Sequence, residues 1–269
     1  MAGIYDYRGN TIPVDALAAG VWDRTVKAVA HRGYSATAPE NTLPAYRLAR
    51  EKGFLYVETD VSLTMDGQPV CLHDSTVNRT SSGSGSIGSL TLSQVKSYDF
   101  GSWKSSAYVG TRIPTFSEFI DLCRSLGLHP YIELKQTGGY TEAQVQSLVD
   151  TVAACGMRGK VTWISFSAAC LTWVKEYDPA ARLGYVVSSV TSGVITTATG
   201  LRTGSNEVFL DSSDYGDSAC NLCQAAELPL EVWTVDSASE IRSMNPYVSG
   251  VTSNSLIAGQ VLQQAAMEA

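Results

Sequence analysis

Residues 26–64 read VKAVAHRGYSATAPENTLPAYRLAREKGFLYVETDVSLT, and this stretch decides the fold class. It opens with a short apolar run over 26–30, continues with a helical pattern over 43–52 and closes with a β-branched run over 55–64. Short β-branched runs indicate buried strands, and apolar residues spaced three and four apart indicate an amphipathic helix. Two strands joined by such a helix lie parallel. The stretch therefore predicts a β-α-β unit.

The same alternation continues along the rest of the chain. Further strands are predicted over 130–134, 161–166, 182–187, 207–211, 230–235 and 250–252. Further helices are predicted over 116–126, 142–155, 168–176, 192–201, 217–227, 239–244 and 256–267. Eight strands, each followed by a helix, predict an α/β fold, the closed (β/α)8 TIM barrel. The alternative is an open doubly wound sheet, which is disfavoured because no glycine-rich phosphate loop follows the first strand.

The composition fits one large globular domain and excludes two classes of partner. The chain has 269 residues, of which 44% are hydrophobic and 17% are charged, and barrels reach this size as a single domain. A net charge of −7 argues against nucleic acid as a partner. No apolar run approaches the roughly 18 residues of a membrane span. We therefore expect the partner to be a small molecule; the sequence gives no indication of oligomeric state.

The cysteines and the N-terminal residues give the evidence on the cellular compartment of the protein. The six cysteines are scattered, and we expect buried thiols in a reducing compartment. Residues 1–22 lack the apolar middle of a signal peptide, which favours a cytoplasmic protein. A secreted protein whose signal sequence has been removed is the alternative. We assign 1–22 to an N-terminal extension and 23–269 to the barrel domain.

One short strand, over 69–73, does not fit the alternation. Asp66-Gly67 precedes it and is a strong signal for a two-residue hairpin turn. Such a turn predicts that Asp60 lies directly opposite His73, with Cβ atoms roughly 5 Å apart. The segment of about 76–115 is too long for a plain connection and predicts a small inserted subdomain beside the active-site end. The alternative for this segment is a surface excursion without a role.

Three carboxylates lie at predicted strand ends. Glu58 and Asp60 are two residues apart, so their side chains leave one strand on the same side, and Glu133 ends the neighbouring barrel strand. Active sites of parallel barrels lie at this end of the strands. Three carboxylates without a cysteine or histidine cluster favour a hard cation, Mg²⁺ or Ca²⁺. The alternative is a salt-bridge network with Arg32 and Lys135.

Two of the three histidines occur in the same series of strand ends. His31 and His73 are suited to proton transfer near neutral pH, whereas His129 is expected at the opposite end of the barrel in a structural role. Arg32 and Lys135 are predicted to bind a phosphoryl group. Two further questions stay open from the residues alone. Glu40 and Asn41 either orient His31 and its loop or cap the next helix, and Trp233 either contacts substrate or fills the core.

These motifs together resemble the glycerophosphodiester phosphodiesterase family over roughly residues 27–255. The motifs that carry the resemblance are His31-Arg32-Gly33, Pro39-Glu40-Asn41-Thr42, Glu58-x-Asp60, Thr64-x-Asp66-Gly67, His73-Asp74, Arg79-Thr80, Ile113-Pro114-Thr115, Glu133-x-Lys135 and Trp233-Thr234-Val235. The resemblance implies a (β/α)8 barrel with an inserted subdomain. It also implies a divalent metal at the positions of Glu58, Asp60 and Glu133, and general acid and base roles for the two histidines. The chain has Asn254 where the family usually has an acidic residue. This position is not among the metal or proton-transfer residues, so we expect the change to alter how the last loop is held and to leave activity intact.

The resemblance predicts metal-dependent hydrolysis of a glycerophosphodiester to an alcohol and glycerol 3-phosphate. The catalytic residues would be His31 and His73, and the substrate would contact Arg32, Lys135 and Trp233. Two alternatives stay open: an enzyme of the lysophospholipase D or sphingomyelinase D type, and a non-catalytic module that binds phosphodiesters. Retention of both histidines counts against the second, because a binding module needs no proton-transfer groups.

Overall fold

The structure is a computed structural model that describes residues 27–135, 139–202, 207–237, 240–241, 244–245 and 247–255. The strands are β1 Lys27–Ala30, β2 Tyr56–Leu63, β3 Pro69–Cys71, β4 His129–Leu134, β5 Thr162–Ser165, β6 Arg182–Val187, β7 Val208–Ser212, β8 Leu230–Val232 and β9 Val248–Ser253. The helices are α1 Leu43–Glu51, α2 Leu92–Ser97, α3 Phe116–Leu126, α4 Glu142–Ala154, α5 Ala168–Tyr177, α6 Ser192–Leu201 and α7 Asp217–Ala225.

All strands of the described chain except β3 form a closed parallel ring. The order is β1-β9-β8-β7-β6-β5-β4-β2, and pairing of β1 with β2 closes it. The pairings around the ring are parallel, and β3 pairs with β2, antiparallel, outside the ring. The prediction of a TIM barrel is therefore confirmed. The predicted helix over 256–267 and the extension over 1–22 lie outside the described residues, as does part of the predicted helix over 239–244.

Helix caps fix where the outer layer begins and ends. Thr115 caps α3 in a reciprocal capping box with Glu118, and Thr141 does the same for α4 with Gln144. At its other end α3 stops at Gly127, whose φ of 65° lies in the left-handed region. The helices pack their apolar faces on the outside of the ring and form the main core.

Because side chains alternate along each strand, those that point into the ring form an apolar layer in the middle and polar layers at the two ends. A small apolar cluster fills the middle of the barrel, made of Val29, Tyr131, Ile164, Val186 and Phe209. Residues two positions further along a strand point inward one layer higher, as Glu133 does above Tyr131. We call the end of the barrel at the carboxyl ends of the strands the upper end, and the opposite end the lower end. Polar side chains follow the apolar cluster at both ends.

The hairpin between β2 and β3 differs by one residue from the prediction. Val61 faces Cys71 and Leu63 faces Pro69, so facing numbers sum to 132 and Asp60 lies opposite Leu72, not His73. The turn holds three residues, 65–67, because Gly67 adopts a φ of 73° and its N–H donates to the Thr64 carbonyl. This is the pattern of a type I turn followed by a left-handed glycine. The predicted direct pairing of Asp60 with His73 is therefore wrong.

The segment over 76–115 forms a compact insertion with a core of its own. That core consists of Val70, Leu72, Val77, Ile87, Val95, Phe100 and Ile113. Its first two members belong to β3 and the residue after it, so the hairpin anchors the insertion. Lys104 in the insertion donates to the carbonyl of Ser35, beside the upper end of β1. The insertion therefore lies against the loop that carries His31.

Candidate active site

A cavity of about 120 Å³ opens at the upper end of the barrel. Its lining comes from successive strand ends and consists of His31, Arg32, Glu58, His73, Glu133, Lys135, Ile164, Phe166, Val186, Asp211, Trp233, Thr234 and Thr252. Every predicted site residue except Asp60 lines this cavity, and Asp60 lies completely buried next to it. The side chains predicted from distant parts of the sequence therefore converge on one small volume.

Parallel register brings the three predicted carboxylates together. Asp60 on β2 is the register partner of Glu133 on β4, and Glu58 precedes Asp60 by two residues. One oxygen from each carboxylate lies within 4.8 Å of the others, and all three side chains are buried. Each also retains a buried oxygen without a hydrogen-bond partner. Buried oxygens that lack a donor are costly, so the cluster fits a cation that would bind them.

Burial and mutual repulsion shift how these groups ionise. Burial, reinforced by Asp60, raises the pKa of Glu58 well above its ordinary range and that of Glu133 to about 8. Burial also opposes ionisation of Asp60, but the neighbouring Arg32, His73 and Lys135 outweigh it and lower the Asp60 pKa. Ionisation is thus favoured at Asp60 and disfavoured at Glu58 and Glu133, and a bound cation would favour the charged form of all three.

Two cations approach the carboxylates without satisfying them all. The Nε of Arg32 lies 3.2 Å from Asp60, and its backbone N–H donates to Glu58 at 2.8 Å. The Nζ of Lys135 lies 3.7 Å from Asp60 and 3.6 Å from Glu133. The salt-bridge network considered as an alternative to a metal therefore exists, yet one oxygen of each carboxylate still lacks a hydrogen-bond donor. The two interpretations are compatible.

Glu40 and Asn41 hold the loop that follows His31, which was one of the two predicted roles, and do not cap the next helix. Asn41, at a φ of 55°, donates to the second oxygen of Asp60 at 2.8 Å and so orients a metal-ligand candidate. Glu40 bridges Arg32 at 2.8 Å and Arg79 at 2.7 Å. The helix cap is Thr42 instead, and its side chain makes no capping bond. Both residues also hold the charged groups of the site.

His73 reaches the cavity through the residues that follow β3. Its Nδ1 lies 2.7 Å from Asp74, whose carboxylate also accepts from Arg79. These contacts, with the ion pair between Arg79 and Glu40, tie the start of the insertion to the loop after β1. The Nε2 of His73 lies 2.5 Å from the Nζ of Lys135. His73 therefore lines the cavity, and Lys135 links it to Asp60 at 3.7 Å although the two residues are not paired across the hairpin.

His31 is held from the opposite side by a residue whose part was not foreseen. Its Nδ1 lies 2.7 Å from the side-chain oxygen of Asn254, whose amide nitrogen in turn donates to Asp236 at 2.6 Å. Burial and the nearby Arg32 lower the pKa of His31 despite the opposing influence of Asp60. Asn254 holds the last loop, as expected, through its bonds to Asp236, and it also contacts a predicted proton-transfer residue directly, which was not predicted.

The far side of the cavity is largely apolar and holds one further acid. Trp233 packs edge-to-face on the half-exposed Phe166, with ring centroids 5.9 Å apart. The same cavity is lined by Asp211, buried with one oxygen unpaired, and burial raises its pKa to about 8. Neither Phe166 nor Asp211 was predicted. Their positions directly after or at the end of barrel strands are the signal that would have found them.

His129 lies at the lower end of the barrel, as expected. Its Nε2 lies 2.8 Å from the Thr162 hydroxyl and its ring packs on Tyr56 and Tyr131. Burial and the nearby Arg182 lower its pKa to about 4.

The six cysteines form no disulfide, and all but Cys155 are buried. Among the described residues, the helices are all too short or too polar to cross a bilayer.

Comparison with known proteins gives one family. The model of the glycerophosphoryl diester phosphodiesterase family matches residues 31–256. A glycerophosphodiester phosphodiesterase of Caldanaerobacter subterraneus is 34% identical over 156 residues, which cover 58% of this chain and 64% of that protein. A probable glycerophosphodiester phosphodiesterase 1 of Mycobacterium tuberculosis is 34% identical over 195 residues, 64% of this chain and 70% of that protein. The chain thus spans about two thirds of these relatives.

Solved structures agree with the sequence matches. A phosphodiesterase of Oleispira antarctica, solved in complex with the product sn-glycerol-3-phosphate, superimposes with a TM-score of 0.76 at 27% identity. The superposition covers 91% of this chain and 98% of that one. A glycerophosphodiester phosphodiesterase of Agrobacterium tumefaciens, 23% identical with a TM-score of 0.69, has the same fold. The likeness extends over nearly the whole barrel.

Proposed function

Because the chain belongs to the glycerophosphoryl diester phosphodiesterase family, we propose that it hydrolyses glycerophosphodiesters to an alcohol and glycerol 3-phosphate. The observation that carries the proposal is the composition of one cavity. Three buried carboxylates with unpaired oxygens adjoin two histidines and two cationic side chains. Perturbed acids, proton-transfer groups and phosphate-binding cations in one cleft are typical of a catalytic site.

Glu58, Asp60 and Glu133 would hold a divalent cation, Mg²⁺ or Ca²⁺. Their oxygen donors and lack of sulfur or nitrogen partners suit a hard ion. When bound, such an ion would polarise a phosphoryl oxygen and offset negative charge developing at phosphorus. The Asn41 amide holds Asp60 in this orientation, since it donates to one carboxylate oxygen and leaves the other without a partner.

Arg32 and Lys135 would bind the non-bridging phosphate oxygens. Their side chains are 16% and 30% exposed, so both can reach a ligand in the cavity without leaving the carboxylates. Arg32 is held by Glu40 and Asp60, which fixes the direction of its guanidinium. Trp233 and Phe166 would contact the carbon skeleton of the substrate on the opposite side.

His31 and His73 would exchange protons with the substrate from two sides of the same cavity. One histidine takes a proton from the attacking oxygen, and the other gives a proton to the departing alcohol. The attacking oxygen is that of water or of the neighbouring substrate hydroxyl. His31 is tied through Nδ1 to Asn254, which leaves its Nε2 for the substrate. His73 is tied through Nδ1 to Asp74 and through Nε2 to Lys135, so its proton is exchanged through that second contact.

The test is release of choline from glycerophosphocholine with Mg²⁺ or Ca²⁺, with and without EDTA. We expect metal-dependent release, and a loss of about 10²–10⁴-fold in kcat for His31→Ala and for His73→Ala. His129→Gln is the matched control, because the third histidine lies at the lower end and should leave kcat unchanged. Lysophosphatidylcholine in parallel distinguishes a lysophospholipase D. Release that survives both alanine substitutions, or binding without turnover under every metal, would contradict the proposal.

A further inference from the structure

The side chains behind His31 form a chain of hydrogen bonds with a defined direction. The carboxylate of Asp236 accepts from the side-chain amide of Asn254 at 2.6 Å and from its backbone N–H at 2.7 Å. The hydroxyl of Ser253 donates to the same carboxylate at 2.8 Å. The other end of the Asn254 amide, Oδ1, lies 2.7 Å from Nδ1 of His31 and 3.0 Å from the Ser35 hydroxyl.

The carboxylate decides which way the amide faces. An ionised carboxylate can only accept, so the NH₂ of Asn254 must lie on the side of Asp236. Burial works against ionisation of Asp236, but its bonds to Asn254 and Ser253 prevail and lower its pKa. The amide oxygen therefore faces His31. An amide oxygen can only accept, so the ring must donate its proton from Nδ1.

We propose that Asn254 and Asp236 are positioning residues that hold His31 in the tautomer protonated at Nδ1, with Nε2 as the basic nitrogen in the cavity. The inference assigns His31 as the general base of the proposed reaction and rests on that proposed function for its effect on rate. The proton of the attacking oxygen, whether that of water or of the neighbouring substrate hydroxyl, passes to Nε2 as the new bond to phosphorus forms. The bond to the alcohol breaks, and the departing oxygen takes the proton held between Nε2 of His73 and Nζ of Lys135, which lie 2.5 Å apart.

The charges around His31 agree with this assignment. Burial and Arg32 disfavour the protonated ring, whereas Asp60, Glu40 and the distant carboxylate of Asp236 favour it. The net result is a lowered pKa for His31, so the ring is neutral at neutral pH and can accept a proton. An amide next to Nδ1 cannot take a proton itself, so it sets the tautomer without storing charge beside the ring.

Asp236→Asn gives the sharpest test because it should reverse the amide. The amide introduced at position 236 would still accept the backbone N–H of residue 254 with its oxygen, so its NH₂ would face the Asn254 side chain. Asn254 would then turn its oxygen towards position 236 and its NH₂ towards His31. The ring would have to accept at Nδ1 and move its proton to Nε2. We expect kcat/KM to fall by about 10²-fold or more as the basic nitrogen is lost.

The double variant Asp236→Asn with Asn254→Asp should restore the original tautomer at unchanged net charge. The carboxylate would then adjoin His31 directly and accept from Nδ1, while the new amide donates to it. Activity should return, and the acidic limb of the pH profile of kcat/KM should move to higher pH, because a carboxylate favours the protonated ring more than an amide does. A merely structural role for these two residues predicts neither the restoration nor the movement.

Long-range ¹H–¹⁵N correlation spectra at pH 7–8 read the tautomer without substrate or metal. The chain has three histidines, and the spectra of His73→Gln and His129→Gln identify the His31 signals. We expect Nδ1 protonated in the parent and the double variant, and Nε2 protonated in Asp236→Asn. Nε2 protonation in the parent, or the same tautomer in all three proteins, would overturn the inference. A protein that turns over no glycerophosphodiester would refute the proposed function but leave this measurement decisive for the tautomer.

Discussion

Both ends of the barrel bury acidic side chains, but nearby cations compensate the charge of Glu231 at the lower end and not that of Glu133 at the upper end. At the lower end, Glu231 accepts from Lys27 at 2.7 Å and from Arg182 at 2.6 Å. Burial opposes its ionisation, but these two cations prevail and lower its pKa to about 2. At the upper end, burial and Asp60 raise the pKa of Glu133 to about 8, and one of its oxygens lacks a partner.

This difference in compensation distinguishes charged residues that stabilise the fold from charged residues that are available to bind a ligand. A buried carboxylate with two close cations and a tyrosine hydroxyl, 3.0 Å away on Tyr131, is fully compensated. A carboxylate beside two others is compensated only when something else enters the cavity. Residue type alone therefore does not identify the catalytic end. The balance of charge and the unpaired oxygens do.

The largest effect expected from this comparison is on activity at the upper end. Glu133→Gln removes one of three carboxylates, and we expect kcat/KM to fall by more than about 100-fold, since changing a group behind a metal ligand already costs about 10–100-fold. The free energy of unfolding without metal should stay the same or rise, because a poorly compensated acid is removed. Steady-state kinetics and urea unfolding of the same preparation check both.

Glu231→Gln is the matched substitution at the lower end and should have the reverse outcome. It leaves Lys27 and Arg182 buried beside an uncharged group, so the free energy of unfolding should fall by about 3–5 kcal/mol. The kcat/KM of the folded fraction should not change. If Glu133→Gln destabilises as much as Glu231→Gln, both ends are structural and the comparison fails.

The pH dependence of stability should separate the two acids. The pKa of Glu133 is raised from 4.5 to about 8, so between these values the folded protein keeps a proton that the unfolded chain has released. Its contribution to the free energy of unfolding therefore falls as pH rises from 4.5 to 8, by at most about 1.4 kcal/mol per pH unit. The pKa of Glu231 is lowered from 4.5 to about 2, so its contribution is complete above pH 4.5 and is lost as pH falls towards 2.

Urea unfolding from about pH 3 to 9 without metal checks this. Because His129 and Asp211 also titrate abnormally, the relevant quantity is the difference between parent and variant. Replacing Glu133 by Gln should remove a downward slope between pH 4.5 and 8 and leave the acid limb in place. Replacing Glu231 should weaken the dependence below pH 4.5 only. Parallel curves for the parent and either variant would mean that the acid in question titrates normally.

Much of the upper end could be predicted because strand geometry fixes it. A spacing of two residues on β2 puts Glu58 and Asp60 on one side, and parallel register brings Glu133 alongside. The partners of His31 could not be predicted. Asn254 is 223 residues away in the chain, and no local spacing reports such a contact. The residues that face the cavity could be found from strand ends, whereas those that orient them from behind could not.

The hairpin shows a different limit of prediction from sequence, because Asp66-Gly67 is compatible with both a two-residue and a three-residue turn. In a two-residue turn of type I′ both residues take a positive φ, whereas in the observed three-residue turn only Gly67 does, at 73°. The two turns differ by one residue in register, which changes which side chain faces Asp60. The choice depends on contacts outside the turn: the carboxylate of Asp66 accepts from the N–H of Leu92, and the N–H of Met65 donates to Leu90.

The smallest expected effect tests this hairpin, which supports the upper end of the barrel. A Cβ on Gly67 would meet nothing within 4 Å, so Gly67→Ala should cost only the strain of a left-handed alanine, about 1 kcal/mol in the free energy of unfolding. Gly88→Ala is the control, because Gly88 has equal space but no positive φ, and it should be neutral or slightly stabilising. Thermal unfolding of both variants measures the difference. Equal stability would show that Gly67 does not need the left-handed conformation. It would then be necessary to revise the three-residue turn, the one-residue shift in register and the position of His73 relative to Asp60.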